Sequence, residues 1–98
     1  MKFQEKVWEL IGQIPKGKVT TYSIIAKKIN SKAYRAVGNA CHHNPFAPRI
    51  PCHHVVRSDG SIGGYSSGTE KKIELLEKEG IQIKNGKVVN FKKLLHYF

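Results

Sequence analysis

The stretch TTYSIIAKKINSKAYRAVGNACHH, residues 20–43, predicts two short helices joined by a tight turn. Thr20 or Thr21 can cap the first helix, because a threonine hydroxyl accepts a hydrogen bond from a backbone N–H group in the first turn. Asn30 and the serine after it break this helix, and a second helix follows from residue 32. Asn44-Pro45 ends it, because proline cannot continue the helical hydrogen-bond ladder. The two segments indicate a helix-turn-helix.

The segments on either side of this pair also favour helices. Apolar residues recur at spacings of three and four over residues 3–14, which is typical of a helix with one buried face. Ser67 and Glu70 have the spacing of a capping box, so a further helix is expected to begin there and to end at Gly80.

Extended structure is expected at two places. Residues 49–56, RIPCHHVV, predict a short extended run before a glycine-rich loop. Asn85-Gly86 lies between alternating apolar residues and predicts a hairpin, because this dipeptide readily adopts the left-handed backbone of a two-residue turn. Residues 91–98 should then pack back onto the core. We expect residues 1–98 to form one mainly helical α+β domain.

The composition favours a polyanionic partner. Seventeen Lys and Arg against seven Asp and Glu give a formal net charge of +10, which points to nucleic acid, although a solvated lysine-rich surface is the alternative. No apolar run approaches the roughly 20 residues that a membrane-spanning helix requires, and the first ten residues do not resemble a signal peptide. We therefore expect no membrane partner and a cytoplasmic protein with free thiols.

The second helix of the pair carries small side chains around its polar ones. Alanine or glycine occupies four of its positions: Ala33, Ala36, Gly38 and Ala40. Between them lie Tyr34 and Arg35. Small residues allow close packing on the other helices, and they equally allow the helix to approach another surface closely. The sequence leaves both interpretations open for these positions.

Two Cys-His-His triplets, at residues 41–43 and 52–54, raise the question of a metal site. Zinc sites usually pair cysteines two to four residues apart, whereas these cysteines are eleven apart, and adjacent histidines on a helix point about 100° away from each other. We expect neither a metal nor a cofactor. Cys41 shares the inward face with Val37 and reads as a small buried residue. Cys52 lies between Pro51 and an imidazole, which are ingredients of an activated nucleophile.

Three segments resemble one family, the O6-alkylguanine-DNA alkyltransferases. IPCHHVV, residues 50–56, resembles the family's Ile-Pro-Cys-His-Arg-Val-Val active-site signature. YRAVGNACHHNP, residues 34–45, resembles its recognition helix, and DGSIGGYSSG, residues 59–68, resembles its substrate-binding loop. The match runs from about Phe3 to Gly80. It implies a winged-helix-turn-helix fold with a small C-terminal hairpin, and one reactive thiol that takes an alkyl group from guanine irreversibly.

The resemblance implies a catalytic role for four residues. Cys52 would attack the alkyl carbon on O6 of guanine and keep the alkyl group. His53 would deprotonate the thiol through a water molecule, and Glu79 would orient the imidazole. Tyr22 would donate to guanine N3 as the base leaves.

The remaining implied roles concern DNA. The lesion must be flipped out of the duplex, with Arg35 entering the vacated stack and Tyr34 near the backbone. Ala33, Ala36 and Gly38 would let the helix enter the minor groove. The family's substrate pocket corresponds to Asn44, Val55, Tyr65 and Ser66: a turn-organising amide, a carbonyl acceptor, an aromatic wall and a backbone donor to O6. The partner would be double-stranded DNA that contains O6-alkylguanine, bound by a monomer.

Departures from the family pattern leave two other functions open. His54 replaces the motif's arginine, Cys41 replaces a usual methionine, and the chain is expected to hold the catalytic domain alone. Its length resembles the alkyltransferase-like proteins, which bind alkylated DNA without transfer and carry tryptophan where this chain has Cys52. The other alternative is a helix-turn-helix regulator that reads the major groove, which gives no reason for the Cys52 motif.

Overall fold

The computed structural model describes residues 2–43, 50–65 and 68–98 of the chain. Its helices and strands follow one another in this order: α1 (Phe3–Gly12), β1 (Thr20–Thr21), α2 (Tyr22–Lys28), α3 (Tyr34–His42), a single 3-10 turn (Cys52–His54), β2 (Val55–Val56), α4 (Thr69–Lys78), β3 (Ile83–Lys84), β4 (Lys87–Val88) and α5 (Phe91–Leu94). The predicted mainly helical α+β class is confirmed. No helix within the described ranges combines the length and apolarity needed to span a bilayer.

The helix-turn-helix forms as predicted from α2 and α3. Thr21 is the capping residue, and its Oγ1 accepts a hydrogen bond from the backbone N–H of Ile24 at 3.1 Å. Asn30 turns the chain with a left-handed φ of 56°, a conformation that asparagine tolerates better than most residues. Helix α1 packs on α3, where the indole Nε1–H of Trp8 donates to the carbonyl of Ala40 at 2.8 Å.

The 3-10 turn differs from the extended run that the sequence predicts. Only Val55–Val56 is extended, because the backbone N–H of His54 donates to the carbonyl of Pro51 at 3.0 Å and closes a tight turn. This turn buries all three side chains of the Cys52–His54 segment. An alternating strand would instead have placed neighbouring side chains on opposite faces.

Strand β1 connects the helix-turn-helix to this turn. It pairs in parallel with β2, with Thr20 opposite Val55 and Thr21 opposite Val56. On its other side, Val19 donates to the carbonyl of Leu94 at 2.9 Å and accepts from the N–H of His96 at 2.7 Å. The prediction that residues 91–98 pack back onto the core is confirmed.

Two apolar clusters meet at the β1–β2 pair. The first joins α1, α2 and α3 to the 3-10 turn and includes both cysteines; the second lies under α4, the hairpin and α5. Val55 belongs to the first cluster and Val56 to the second, because successive strand residues face opposite sides. The segment from Cys52 to Val56 is therefore attached to both halves of the core.

The predicted hairpin is confirmed, whereas the start of α4 differs from the prediction. Asn85 and Gly86 have φ values of 53° and 74°, the left-handed pair of a two-residue turn between β3 and β4. Helix α4 begins at Thr69 with Gly68 at the N-cap position and no side-chain cap. Gly68 has a φ of 96°, which favours glycine, and Ser67 lies outside the described residues.

Candidate active site and nucleic-acid interface

Cys52 lies at the floor of a cavity of about 320 Å³ between α3 and the loop that follows β2. The side chain is buried, at 3% exposure, and the thiol is not part of a disulfide. The cavity walls come from several elements: Tyr22, Cys41, Arg57, Gly64 and Tyr65. Of the depressions formed by the described residues, this cavity is bordered by Cys52.

Glu79, at the C-terminal end of α4, receives three hydrogen bonds. Its Oε2 accepts from His53 Nε2–H at 2.8 Å, and its Oε1 accepts from His54 Nε2–H at 2.7 Å and from the backbone N–H of Gly17 at 2.8 Å. The carboxylate side chain is only 11% exposed, so it is not a solvated charge at a helix end. Glu79 therefore ties the 3-10 turn to the loop between α1 and β1.

These contacts set the ionisation of the group. Burial raises the pKa of the Glu79 carboxyl, but the hydrogen bonds from His53, Gly17 and His54 outweigh burial and leave this pKa below its ordinary value. Burial, reinforced by the neighbouring His53, lowers the pKa of His54 despite its bond to Glu79. At neutral pH the carboxylate is ionised and His54 is neutral.

An ionised carboxylate only accepts hydrogen bonds, so both histidines must carry their proton on Nε2. The Nδ1 atoms of His53 and His54 are buried and have no hydrogen-bond partner among the residues that the structure describes. In this tautomer Nδ1 carries a lone pair. His53 can therefore take up a proton while its other nitrogen remains bonded to Glu79.

The same three side chains bring two imidazoles and one carboxylate within 4.8 Å of one another, a donor set that can bind a metal. Their nitrogen-to-oxygen distances of 2.7 and 2.8 Å are hydrogen-bond lengths. Ligand atoms around a tetrahedral zinc would be roughly 3.3 Å apart, given bonds of about 2.0–2.1 Å. The geometry favours shared protons over a shared metal.

Cys41 is buried, as the sequence predicts, but it also contacts the candidate nucleophile. A hydrogen bond with Cys52, together with burial, raises the pKa of the Cys41 thiol far above its ordinary value. Cys41 therefore stays protonated and donates toward Cys52. No local pattern predicts the contact between the two cysteines, because eleven positions separate them.

Two tyrosines flank the thiol. Burial raises the pKa of Tyr22 to about 12, so its phenol remains a hydrogen-bond donor at neutral pH. Tyr65 meets His53 edge to face, with ring centroids 6.4 Å apart, and burial raises its pKa also. Tyr22 and Tyr65 both line the cavity that Cys52 borders.

Lys72 is a functional candidate that the sequence interpretation missed. Its side chain is completely buried, and Nζ donates to the carbonyls of Val55 at 2.7 Å, Ile62 at 2.5 Å and Gly64 at 3.1 Å. Burial lowers its pKa to about 8. One sequence feature could have indicated this burial: Lys72 lies four residues before Leu76, so both side chains are on the inward face of α4. Lys72 holds the chain after Cys52 to the glycine-rich loop.

The predicted DNA-binding residues of α3 do not all face the same surface. Tyr34 and Arg35 are exposed and line a groove of about 520 Å³ that also includes Gly38. A Cβ atom on Gly38 would lie 4.0 Å from the Tyr22 ring. Ala36 instead faces a depression beside the start of α1, and Ala33 is the exposed N-cap residue of α3.

The sequence interpretation also assigns Val55, Asn44 and Ser66 to the substrate pocket. Val55 is buried, and its carbonyl accepts from Lys72, which leaves one of its two lone pairs for another donor. Asn44 and Ser66 lie outside the described residues.

The sequence and structure are similar to those of known proteins. The sequence model of the family described as "6-O-methylguanine DNA methyltransferase, DNA binding domain" matches residues 2–81. A methylated-DNA–protein-cysteine methyltransferase of Methanosarcina mazei is 46% identical over 84 residues, which are 85% of this chain and 53% of that protein. A probable enzyme of the same name from Acanthamoeba polyphaga mimivirus is 54% identical over 79% of this chain and 52% of its own length. The chain thus spans about half the length of these relatives.

Two solved structures are similar to the fold. Mycobacterium tuberculosis OGT in complex with DNA has a TM-score of 0.77 and 42% identity, and the match covers 81% of this chain and 50% of that one. Schizosaccharomyces pombe Atl1, in complex with damaged DNA containing O6-carboxymethylguanine, has a TM-score of 0.87 and 30% identity over the whole of both chains. Since the family model covers most of the sequence, this chain belongs to the O6-methylguanine-DNA methyltransferase family, through that family's DNA-binding domain.

Proposed function

We propose that this chain repairs O6-alkylguanine in double-stranded DNA by a single, irreversible transfer of the alkyl group to Cys52. The observation that carries the proposal is the position of Cys52, buried in a cavity next to a histidine whose other nitrogen is hydrogen-bonded to Glu79 at 2.8 Å. The names of its relatives, methylated-DNA–protein-cysteine methyltransferases, support the same chemistry.

The chemical step requires a thiolate. His53 takes the thiol proton at Nδ1 through an intervening water, and its imidazolium is stabilised by Glu79. The sulfur then attacks the alkyl carbon, a carbon–sulfur bond forms and the bond from that carbon to O6 breaks. Tyr22 gives its phenolic proton to N3 as this bond breaks, so that guanine leaves as a neutral species, and the proton that His53 took from the thiol returns through water to the phenol. The product thioether cannot return to a thiol, so each molecule acts once.

Access to the base requires that the nucleotide leave the duplex, because the cavity admits no intact base pair. Arg35 is exposed on α3 beside the cavity and is placed to occupy the vacated stack. The net charge of +10 supplies affinity for the phosphate backbone independent of sequence. Such binding suits a protein that must find damage at any site.

A second candidate is a lesion-binding protein that does not transfer the group. It is favoured by the similarity to Atl1, which extends over the whole of both chains with a TM-score of 0.87. Both candidates share the DNA interface and differ at Cys52, because only a nucleophile makes transfer possible.

Mass spectrometry distinguishes the two candidates. The protein is incubated with a duplex that contains one O6-methylguanine, and its peptides are then analysed. We expect one added methyl group on the peptide that carries Cys52 and none on Cys41, in an amount that never exceeds the protein. Tight lesion binding without any added mass would support the second candidate and refute transfer.

A further inference from the structure

Arg57 lies between the α3 groove and the Cys52 cavity. These two depressions share three lining residues: Tyr22, Gly38 and Arg57. The groove on α3 and the cavity that holds the sulfur therefore adjoin at these three residues. Of these residues only Arg57 carries a charge at neutral pH, since burial raises the pKa of Tyr22 to about 12.

The Arg57 side chain lies next to Gly63. A Cβ atom on Gly63 would lie 3.5 Å from Arg57 Cγ, 3.6 Å from Arg57 Nε and 3.5 Å from the Tyr22 hydroxyl oxygen. The Arg57 side chain and the Tyr22 hydroxyl thus both lie next to Gly63. Gly63 has a φ of 74°, so a residue with a side chain would be strained there in any case.

The Arg57 guanidinium has no ion pair or hydrogen bond with any residue in the ranges 2–43, 50–65 and 68–98. Asp59, the acidic residue nearest to it in sequence, instead accepts hydrogen bonds from the backbone N–H and the hydroxyl of Ser61 at 2.9 and 2.7 Å. The arginine is exposed, it lines the same groove as Arg35, and its charge helps to lower the pKa of Lys72. A cation without a counter-ion, beside other cations, is suited to an anionic ligand.

A nucleotide that leaves the duplex brings its phosphodiester groups with it. A guanidinium is a planar donor that can bond two oxygens of one phosphate, and such charge-assisted pairs are stronger than neutral hydrogen bonds. We propose that Arg57 forms a phosphodiester-binding subsite that holds the backbone of the extruded nucleotide between the groove and Cys52. This inference rests on the proposed function. It gives the two arginines different tasks, because Arg35 would act on the duplex stack and Arg57 on the extruded nucleotide.

The test presents the same lesion in three forms: in a duplex, in a single strand, and as the nucleoside O6-methyl-2′-deoxyguanosine. Transfer rates are measured for Arg57→Ala, Arg57→Lys and Arg35→Ala. We expect Arg57→Ala to lower the rate about tenfold or more with both DNA forms and much less with the nucleoside, because the nucleoside has no phosphate and loses only the contribution of Arg57 to the cavity wall. Arg57→Lys should recover part of the loss, since it restores a charge without the bidentate geometry. Arg35→Ala should lower the duplex rate more than the other two rates, because only the duplex leaves a vacated stack.

Salt dependence gives a second readout that needs no transfer. Removing one phosphate contact reduces the slope of log K against log salt concentration by about 0.7 for single-stranded DNA, so Arg57→Ala should show a change of this size. Lys84→Ala, an exposed cation on the hairpin and outside the groove, is the charge-matched control. Equal slopes for wild type and Arg57→Ala, or an equal loss of rate with the nucleoside, would overturn the subsite. Absence of transfer by wild type would refute the proposed function, and the slopes would still decide the role of Arg57.

Discussion

Replacing Glu79 by glutamine tests how the thiol is activated. The glutamine carbonyl can still accept from His54 and Gly17, which now bond Oε1 at 2.7 and 2.8 Å. Its amide N–H₂ would then face the Nε2–H of His53, where the carboxylate now accepts at 2.8 Å. Two donors cannot share this contact. His53 must move its proton to Nδ1 and accept at Nε2, which removes the lone pair that takes up the thiol proton.

This geometry sets the size of two effects, the loss of transfer rate and the loss of folding stability. General-base assistance is typically worth about 10²–10⁴-fold, and a buried carboxylate-to-amide change that fixes the wrong histidine tautomer in a protease lowers kcat about 10⁴-fold. We therefore expect transfer by Glu79→Gln to be about 10²–10⁴-fold slower at pH 7. The variant also exchanges charge-assisted hydrogen bonds for neutral ones, so its free energy of unfolding should fall by about 1–3 kcal/mol.

The assay is single-turnover methyl transfer from duplex DNA across pH, with DNA affinity and urea unfolding measured on the same samples. Glu77→Gln is the matched control, because Glu77 is exposed on the same helix. His53→Ala should lose about as much rate as Glu79→Gln, and the double variant little more, because residues that act as one unit are not additive. A Glu79→Gln rate equal to that of Glu77→Gln, or losses that add fully, would refute the relay.

Three further predictions concern the groups around this relay. Cys41→Ala should transfer about tenfold more slowly than Cys41→Ser at neutral pH, because only serine retains a donor toward the Cys52 sulfur; equal single-turnover rates would show that this hydrogen bond is inert. His54→Gln should change the acid stability measured by urea unfolding. The pKa of His54 is lowered in the folded state, so the unfolded chain binds its proton first and wild type loses stability as pH falls below about 6.5. The variant should keep that stability until the pH falls below about 4.5, where Glu79 of the unfolded chain takes up a proton while the lowered pKa of the folded carboxyl keeps it ionised. Lys72→Met should lower the free energy of unfolding by about 2–4 kcal/mol, because it leaves three carbonyls without their donor; Lys71→Met, an exposed control on α4, should cost less than about 1 kcal/mol, and similar values for the two would contradict the role of Lys72.

The helices and the hairpin were predictable because their signals are local. Thr21 caps α2 through a residue three positions away, and Asn85-Gly86 forms its turn within four residues. The 3-10 turn was not predictable in this way. Its conformation depends on burying His53 and His54 against Glu79, a contact that spans 25 and 26 positions and that no local pattern encodes.

In the candidate site too, local features were predictable and long-range contacts were not. The motif around Cys52 indicated the nucleophile, but its hydrogen bond with Cys41 depends on how α3 packs against the 3-10 turn. Lys72 looked like an ordinary charge on a lysine-rich helix. Its three carbonyl acceptors belong to the strand and loop opposite, and a lysine is buried only where such acceptors offset the loss of hydration.

The bonds on the outer side of β1 have a practical consequence for trimming this chain. The family match ends at residue 81, yet Val19 and Thr20 are bonded to residues 94–96, including a 3.0 Å bond from the Thr20 hydroxyl to the carbonyl of His96. A fragment cut at the limit of the match would leave β1 as an exposed edge strand, open to pairing with another molecule. It would also uncover the apolar surface beneath α5. Expression designs and sensor fusions should therefore keep the last seventeen residues and place any tag beyond Phe98 on a flexible spacer.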